Sequence, residues 1–190
     1  MKIIIGITGA SGIIYAKRLL EIFLEKNIET HLIVSKEAEP IITHELFSSK
    51  KNIEKLASFF YENNDLTSPL SSGSFITDCM VIVPCSAKTL AGIAHGYSDN
   101  LILRSAEVSI KQGKKLILVP RETPLSPIQL QNMLDLARIG VVILPAMPAF
   151  YHHPLKIDQI IDFIVGKILD SIGIEHNIFQ RWTGLNKKIT

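Results

Sequence analysis

A chain of 190 residues, 47% of them apolar, has enough material for one domain with a sizeable core. Its net charge of +2 gives no basis for a nucleic-acid surface, and Cys79 and Cys85 form neither a C-x-x-C pair nor a disulfide framework, as expected in a reducing compartment. The longest apolar stretch, residues 139–150, contains Pro145 and Pro148 and falls short of the roughly 18 residues of a membrane helix, so no membrane span is expected.

The most informative segment comes first. A β-type run, Lys2-Ile3-Ile4-Ile5-Gly6-Ile7, breaks into the turn Thr8-Gly9-Ala10-Ser11-Gly12 and then into helical periodicity. Glycines let backbone approach a ligand closely, and the N–H groups of the following helix favour an anion. The spacing G-x-x-G-x-x-G (Gly6, Gly9, Gly12) departs from the dinucleotide fingerprint G-x-G-x-x-G, so a nucleotide cradle and a plain tight turn both stay open here. Lys2 and the isoleucines superficially resemble a secretory signal. The glycine turn and amphipathic helix that follow belong instead to a βα unit, and the protein is read as cytoplasmic.

Residues 11–26 carry apolar side chains at helical spacing, residues 30–34 read as a second strand and residues 37–47 as a second helix. Residues 48–74 are irregular and are expected to cross the surface as loop. A third strand, 79–83, ends at Pro84 and precedes a helix from about Thr89. Another helix spans 101–112, a fourth strand 116–119, a helix 127–138, a fifth strand 141–144 and a final helix 157–172. Strands that are apolar almost throughout and alternate with helices predict an α/β fold, a three-layer sandwich with a mostly parallel sheet. No repeat or linker divides the chain, so residues 1–190 are read as a single domain. A mean hydropathy of +0.27 is high for a monomer and favours a homo-oligomer that buries apolar surface between subunits.

Ligands of such folds sit beyond the carboxyl ends of the strands. Those ends here are Thr8-Gly9-Ala10-Ser11, Ser35-Lys36, Pro84-Cys85-Ser86-Ala87-Lys88-Thr89, Pro120-Arg121-Glu122 and the Tyr151-His152-His153 loop. Hydroxyls and amides suit a phosphate or the polar edge of a flavin. Ser35 stands where an NAD site would place an acid, which argues against NAD. Simpler roles compete: Ser35, Ser86 and Thr89 are good helix caps, and Cys85 fits a packed small residue. His152-His153 lacks a third ligand at metal spacing, so no metal is expected. Arg121-Glu122, opposite charges on a loop between two prolines, has no evident packing purpose and is the strongest functional candidate from physics alone.

Taken together, Thr8-Gly9-Ala10-Ser11-Gly12, Pro84-Cys85-Ser86-x-x-Thr89-Leu90, Asn100-Leu101-Ile102-x-Arg104, Leu118-Val119-Pro120-Arg121-Glu122-x-Pro124, Leu130-x-Asn132-Met133-Leu134, Leu144-Pro145-Ala146 and Phe150-Tyr151-His152 closely resemble the UbiX-type flavin prenyltransferases, in order from Gly6 to Trp182. The resemblance implies a Rossmann-like, flavodoxin-like flavoprotein that binds FMN as substrate and joins it to dimethylallyl phosphate. Its product is prenylated FMN, the cofactor of UbiD-type decarboxylases, one of them in ubiquinone biosynthesis. It also implies a homo-oligomer, a dodecamer, with a tail from about 173 packing on a neighbouring subunit.

By motif position the resemblance implies FMN contacts at Gly9, Ala10, Ser11, Ser35, Ser86, Ala87, Lys88, Thr89 and Arg121. It implies prenyl-phosphate contacts at Arg104, Lys111, Arg121, Tyr151 and Lys167, and proton transfer by Glu45 and Glu122 with Ser11 as relay. Cationic groups at the leaving phosphate would serve without Mg²⁺. Periodicity alone lets Lys167 snorkel to solvent and Trp182 pack against another subunit. Two alternatives keep the FMN site: an FMN-dependent cysteine decarboxylase of the same fold, and a non-catalytic FMN carrier.

Overall fold

The computed structural model describes residues 1–185. Six strands form one sheet: β1 (Lys2–Ile7), β2 (Glu29–Val34), β3 (Phe59–Glu62), β4 (Cys79–Cys85), β5 (Lys115–Pro120) and β6 (Val142–Ile143). The helices are α1 (Ile13–Glu25), α2 (Ala38–Leu46), α3 (Lys50–Glu54), α4 (Ala87–Ala94), α5 (Leu101–Lys111), α6 (Pro127–Arg138) and α7 (Ile157–Ile172), with a 3₁₀ turn at Pro69–Ser71. Every strand pair is parallel, and the order is β3-β2-β1-β4-β5-β6.

The expected three-layer α/β sandwich is what the chain forms. Alternation along β1 explains how: Ile3, Ile5 and Ile7 point into a core shared with α1, α2, α3 and α7, whereas Ile4 joins a second core beneath α4, α5 and α6. The strands are buried on both faces, as parallel strands covered by crossover helices must be.

Some details depart from the sequence reading. Residues 48–74 are not simply loop: they contain α3, the edge strand β3 and the 3₁₀ turn, so the sheet has six strands rather than five. β3, Phe59-Phe60-Tyr61-Glu62, carries β-favouring aromatics but is only four residues long and mostly exposed at the edge of the sheet. β4 runs on through Pro84 to Cys85, and α4 starts at Ala87 rather than Thr89. β6 is only Val142–Ile143. Within the chain, Ile174, Ile178 and Phe179 of the tail pack against the first core.

Adding β3 at the edge completes the strand order 3-2-1-4-5-6 of doubly wound nucleotide-binding sheets. The direction of winding reverses between β1 and β4, and a crevice opens there above the carboxyl ends.

Candidate active site

A cavity of about 710 Å³ occupies that crevice, within the range of small-molecule sites. Its floor is built from the ends of β1, β2, β4 and β5. The Thr8 hydroxyl donates to the Pro84 carbonyl at 2.7 Å and accepts the Ser86 N–H at 2.8 Å, so one side chain joins the end of β1 to the start of α4. Ser86 is the N-cap of α4: its Oγ accepts the Thr89 N–H at 3.3 Å and donates to Thr89 Oγ1 at 3.0 Å. Gly9 has no room for a side chain, because a Cβ there would lie 2.6 Å from the Cβ of Glu37.

Ser35 is 6% exposed, and its Oγ is buried with no hydrogen-bond partner among the described residues. It is not a cap, since α2 has no side-chain capping bond. Arg121 Nε is likewise buried and unpartnered. Orphaned buried polar atoms are uncommon and costly, so two of them on one cavity mark a place for a hydrogen-bonding, acceptor-rich ligand. Together with the N-terminus of α4 they fit a phosphate or the polar edge of a flavin.

The structure gathers Gly9, Ala10, Ser35, Ser86, Ala87, Lys88, Thr89, Arg121 and Glu122 around the cavity. It also adds residues that strand ends alone do not reveal. Asn63 lines the rim and fixes α5 there: its carbonyl accepts the Leu101 N–H at 2.7 Å and its Oδ1 the Ile102 N–H at 3.0 Å. Asn100 completes the cap by accepting the Leu103 N–H at 3.1 Å. Glu37, Glu39, Glu62 and Asp99 make one side of the rim acidic, with Lys36 and Lys88 among them. The position of Asn63 at the rim depends on β3, which the sequence reading leaves as loop.

Six expected site residues do not line the cavity. Ser11 is exposed on the glycine turn. Glu45 lies at the N-terminus of α1, where its carboxylate accepts the N–H of Gly12 and of Ile13, each at 3.0 Å. The anion cradle expected there is therefore filled by the chain's own carboxylate. Gly12 makes this possible by turning with φ 104°, a left-handed conformation that side chains disfavour. Arg104, on α5, donates to the Ser71 carbonyl at 3.1 Å and to Glu107 at 2.8 Å. Lys111 ends the same helix, about 12 Å along its axis from the cavity-lining Leu103. Tyr151 and Lys167 belong to the layer of α7, across the sheet from α5.

Cys85 and His152 lie in packed surroundings, although both ring nitrogens of His152 are buried with no partner among the described residues. Cys85 is fully buried, and burial pushes its thiol up to about 12, which leaves an inert group. His152 stacks on Phe163 at 5.6 Å and 8°, with Tyr151 edge-on to Trp182 at 5.4 Å. Among the described residues no group of three His, Cys, Asp or Glu side chains is placed to hold a metal, and no helix is long and apolar enough to cross a membrane.

Comparison with known proteins now assigns the family. The family model described as Flavoprotein matches residues 1–169. Flavin prenyltransferase UbiX of Methanocaldococcus jannaschii is 52% identical over 182 residues, covering 96% of this chain and 98% of that protein. The chain belongs to the UbiX family of flavoproteins. Among solved structures, a dodecameric FMN-dependent UbiX-like decarboxylase from Escherichia coli O157:H7 superposes with a TM-score of 0.95 at 49% identity, covering 97% of this chain and all (100%) of that one. AnUbiX (PadA1), in complex with FMN and dimethylallyl pyrophosphate, gives a TM-score of 0.95 at 44% identity, covering 97% and 98%. In this UbiX-family chain all the residues expected to touch FMN except Ser11 thus converge on one cavity, while of those expected to touch prenyl phosphate Arg121 lines that cavity and the other four are divided between two layers.

Proposed function

We infer that this chain is a flavin prenyltransferase that binds FMN as substrate and transfers to it the dimethylallyl group of dimethylallyl phosphate, yielding prenylated FMN. The observation that carries the activity is the near-complete match, at about half identity, to relatives named flavin prenyltransferase.

FMN occupies the cavity at the β1–β4 switch point. Ser35, Ser86, Thr89 and the α4 N-terminus hold its phosphate end, and Gly9, Ala10, Ala87 and Lys88 line its path. Arg121, whose Nε has no partner among the described residues, donates to it. Glu122 lines the same cavity and, with Glu45 and Ser11, forms the proton-handling set. The leaving phosphate needs cations, supplied by Arg104, Lys111, Arg121 and Lys167 with the Tyr151 hydroxyl, in place of a metal.

Arg104 and Lys111 lie on the layer of α5 and Tyr151 and Lys167 on that of α7, with the sheet between them. This division of the two pairs between opposite faces supports a homo-oligomer, a dodecamer like its E. coli relative, with sites completed across subunit contacts. Residues 1–190 act as one domain within it. The product passes to a UbiD-type decarboxylase, and the two free thiols accord with a cytoplasmic location.

The test is anaerobic incubation of the purified protein with reduced FMN and dimethylallyl monophosphate, followed by mass analysis of the flavin. A gain of one five-carbon prenyl unit is expected. Unchanged flavin with folded, FMN-binding protein would overturn the assignment.

A further inference from the structure

After α7 the chain reverses at Gly173, in a left-handed turn, and runs back along the helix. Lys115 Nζ, at the start of β5, donates to the Ser171 carbonyl at 2.7 Å, which places the end of α7 at the edge of the sheet opposite the cavity. The returning segment therefore starts far from the cavity and climbs toward it. Its seat is one face of α7: Phe163, Gly166, Lys167 and Asp170 follow at helical spacing and share that side.

Each of these residues meets something. Phe163 packs edge-on against Phe179 at 5.2 Å and against Tyr151 at 6.0 Å. At Gly166 a Cβ would overlap the Phe179 ring and come within 2.9 Å of His176, so the segment can lie this close only because position 166 has no side chain. Asp170 is the hub. Arg181 clamps its carboxylate with two nitrogens at 2.7 and 3.1 Å, His176 Nε2 lies at 3.0 Å and Lys167 Nζ at 3.8 Å. Arg181 is followed directly by Trp182, whose ring meets Tyr151 at 5.4 Å.

We propose that Asp170 is a positioning residue for the prenyl donor: it anchors the returning segment so that Trp182 braces Tyr151, and it holds Lys167 until the donor's phosphate takes it over. This rests on the reading of Tyr151 and Lys167 as prenyl-phosphate contacts. A bidentate Arg–carboxylate pair is geometrically specific, and here it joins two segments rather than neighbouring turns of one helix. Neither Asp170 nor Gly166 is expected to touch a substrate. Their influence on the reaction passes through Tyr151, Trp182 and Lys167.

Trp182 is the chain's single tryptophan, so its emission reports on the anchor without any need for turnover. Two variants release the segment by different means: D170N removes the charge and G166A removes the seat. In the intact assembled protein both are expected to shift Trp182 emission to the red and increase its quenching by acrylamide. They should also raise KM for dimethylallyl phosphate about tenfold, the scale of losing one charged hydrogen bond, with kcat and FMN affinity changed less than twofold. Unchanged Trp182 emission in folded D170N would overturn the anchor, and an unchanged KM in the presence of a shifted emission would overturn its link to the donor. Failure of the wild-type protein to prenylate FMN would sink the assigned activity separately, since the emission is read in the absence of donor.

Discussion

Glu45 accepts the N–H of Gly12 through both carboxylate oxygens, at 3.0 and 3.2 Å, although the two residues are 33 positions apart. A negative charge at a helix N-terminus is stabilised by the free N–H groups and the helix dipole. The same carboxylate raises the pKa of Tyr15, after the larger effect of burial. Replacing Glu45 with Ala is expected to lower stability by about 1–2 kcal/mol, a few degrees in Tm, by stripping α1 of its cap. Glu45→Gln keeps an acceptor and most of that stability while losing the ability to exchange a proton, so its prenyl transfer should fall steeply with FMN affinity intact. Normal turnover in E45Q would remove Glu45 from the proton-handling set.

Ser35 Oγ and Arg121 Nε present the opposite case: buried polar atoms without a partner among the described residues. Ser35→Ala should therefore leave the FMN-free protein as stable as before or slightly more so, while weakening FMN binding by about tenfold or less, the value of one neutral hydrogen bond. Arg121→Ala should weaken it by about tenfold to a hundredfold, because a charged donor is lost. Thermal melts with and without FMN, beside a fluorescence titration, separate the two effects. An S35A protein destabilised without FMN but binding it normally would show that Ser35 serves the fold.

Thr8 makes a similar distinction at the floor of the cavity. Thr8→Val preserves shape but leaves the part-buried Ser86 N–H without its acceptor, at a cost of about 1 kcal/mol. Denaturant unfolding should report that loss, and hydrogen exchange should report faster opening at Ser86. FMN affinity should fall as well, since the Ser86 cap is carried on the same turn. A T8V protein with native stability would mean that water or a shifted backbone satisfies the amide.

His31 predicts a pH dependence. It is 2% exposed, stacked on Phe59 at 5.0 Å and bonded to Tyr61 and Glu29, and burial lowers its pKa from 6.5 despite the nearby carboxylate. The unfolded chain then binds a proton more readily than the folded one. Its contribution to stability is complete above pH 6.5 and is lost as pH falls through the lower folded value. Tm measured from pH 8 to pH 5 should therefore fall more in the wild type than in His31→Gln, which cannot titrate. Parallel curves would contradict the assignment.

Much of the cavity was readable because the rule it obeys is local: in a parallel sheet the residues that follow strands end up together. Gly9, Ser35, Ser86 and Arg121 sit far apart in sequence yet could be placed on one rim from strand boundaries alone. β3 is hard to read although Phe59, Phe60 and Tyr61 favour strand, because four residues running into the turn formers Asn63-Asn64-Asp65 are too few to show a period, and the role of Asn63 is hidden with it. The capture of Gly12 by Glu45 depends on how α2 packs beside α1. No pattern in either segment encodes that. The same holds for the return of residues 174–182 along α7, where a single glycine decides how closely two segments meet.

The separation of α5 and α7 by the sheet has a genetic consequence. If each site draws its cations from different protomers, a chain damaged at Lys111 and one damaged at Lys167 carry lesions on different layers. Mixed in one assembly, they rebuild some sites with neither lesion, so two inactive preparations regain partial activity on co-assembly. Activity per protomer also becomes a matter of mass action, declining on dilution as the contacts that complete the sites come apart.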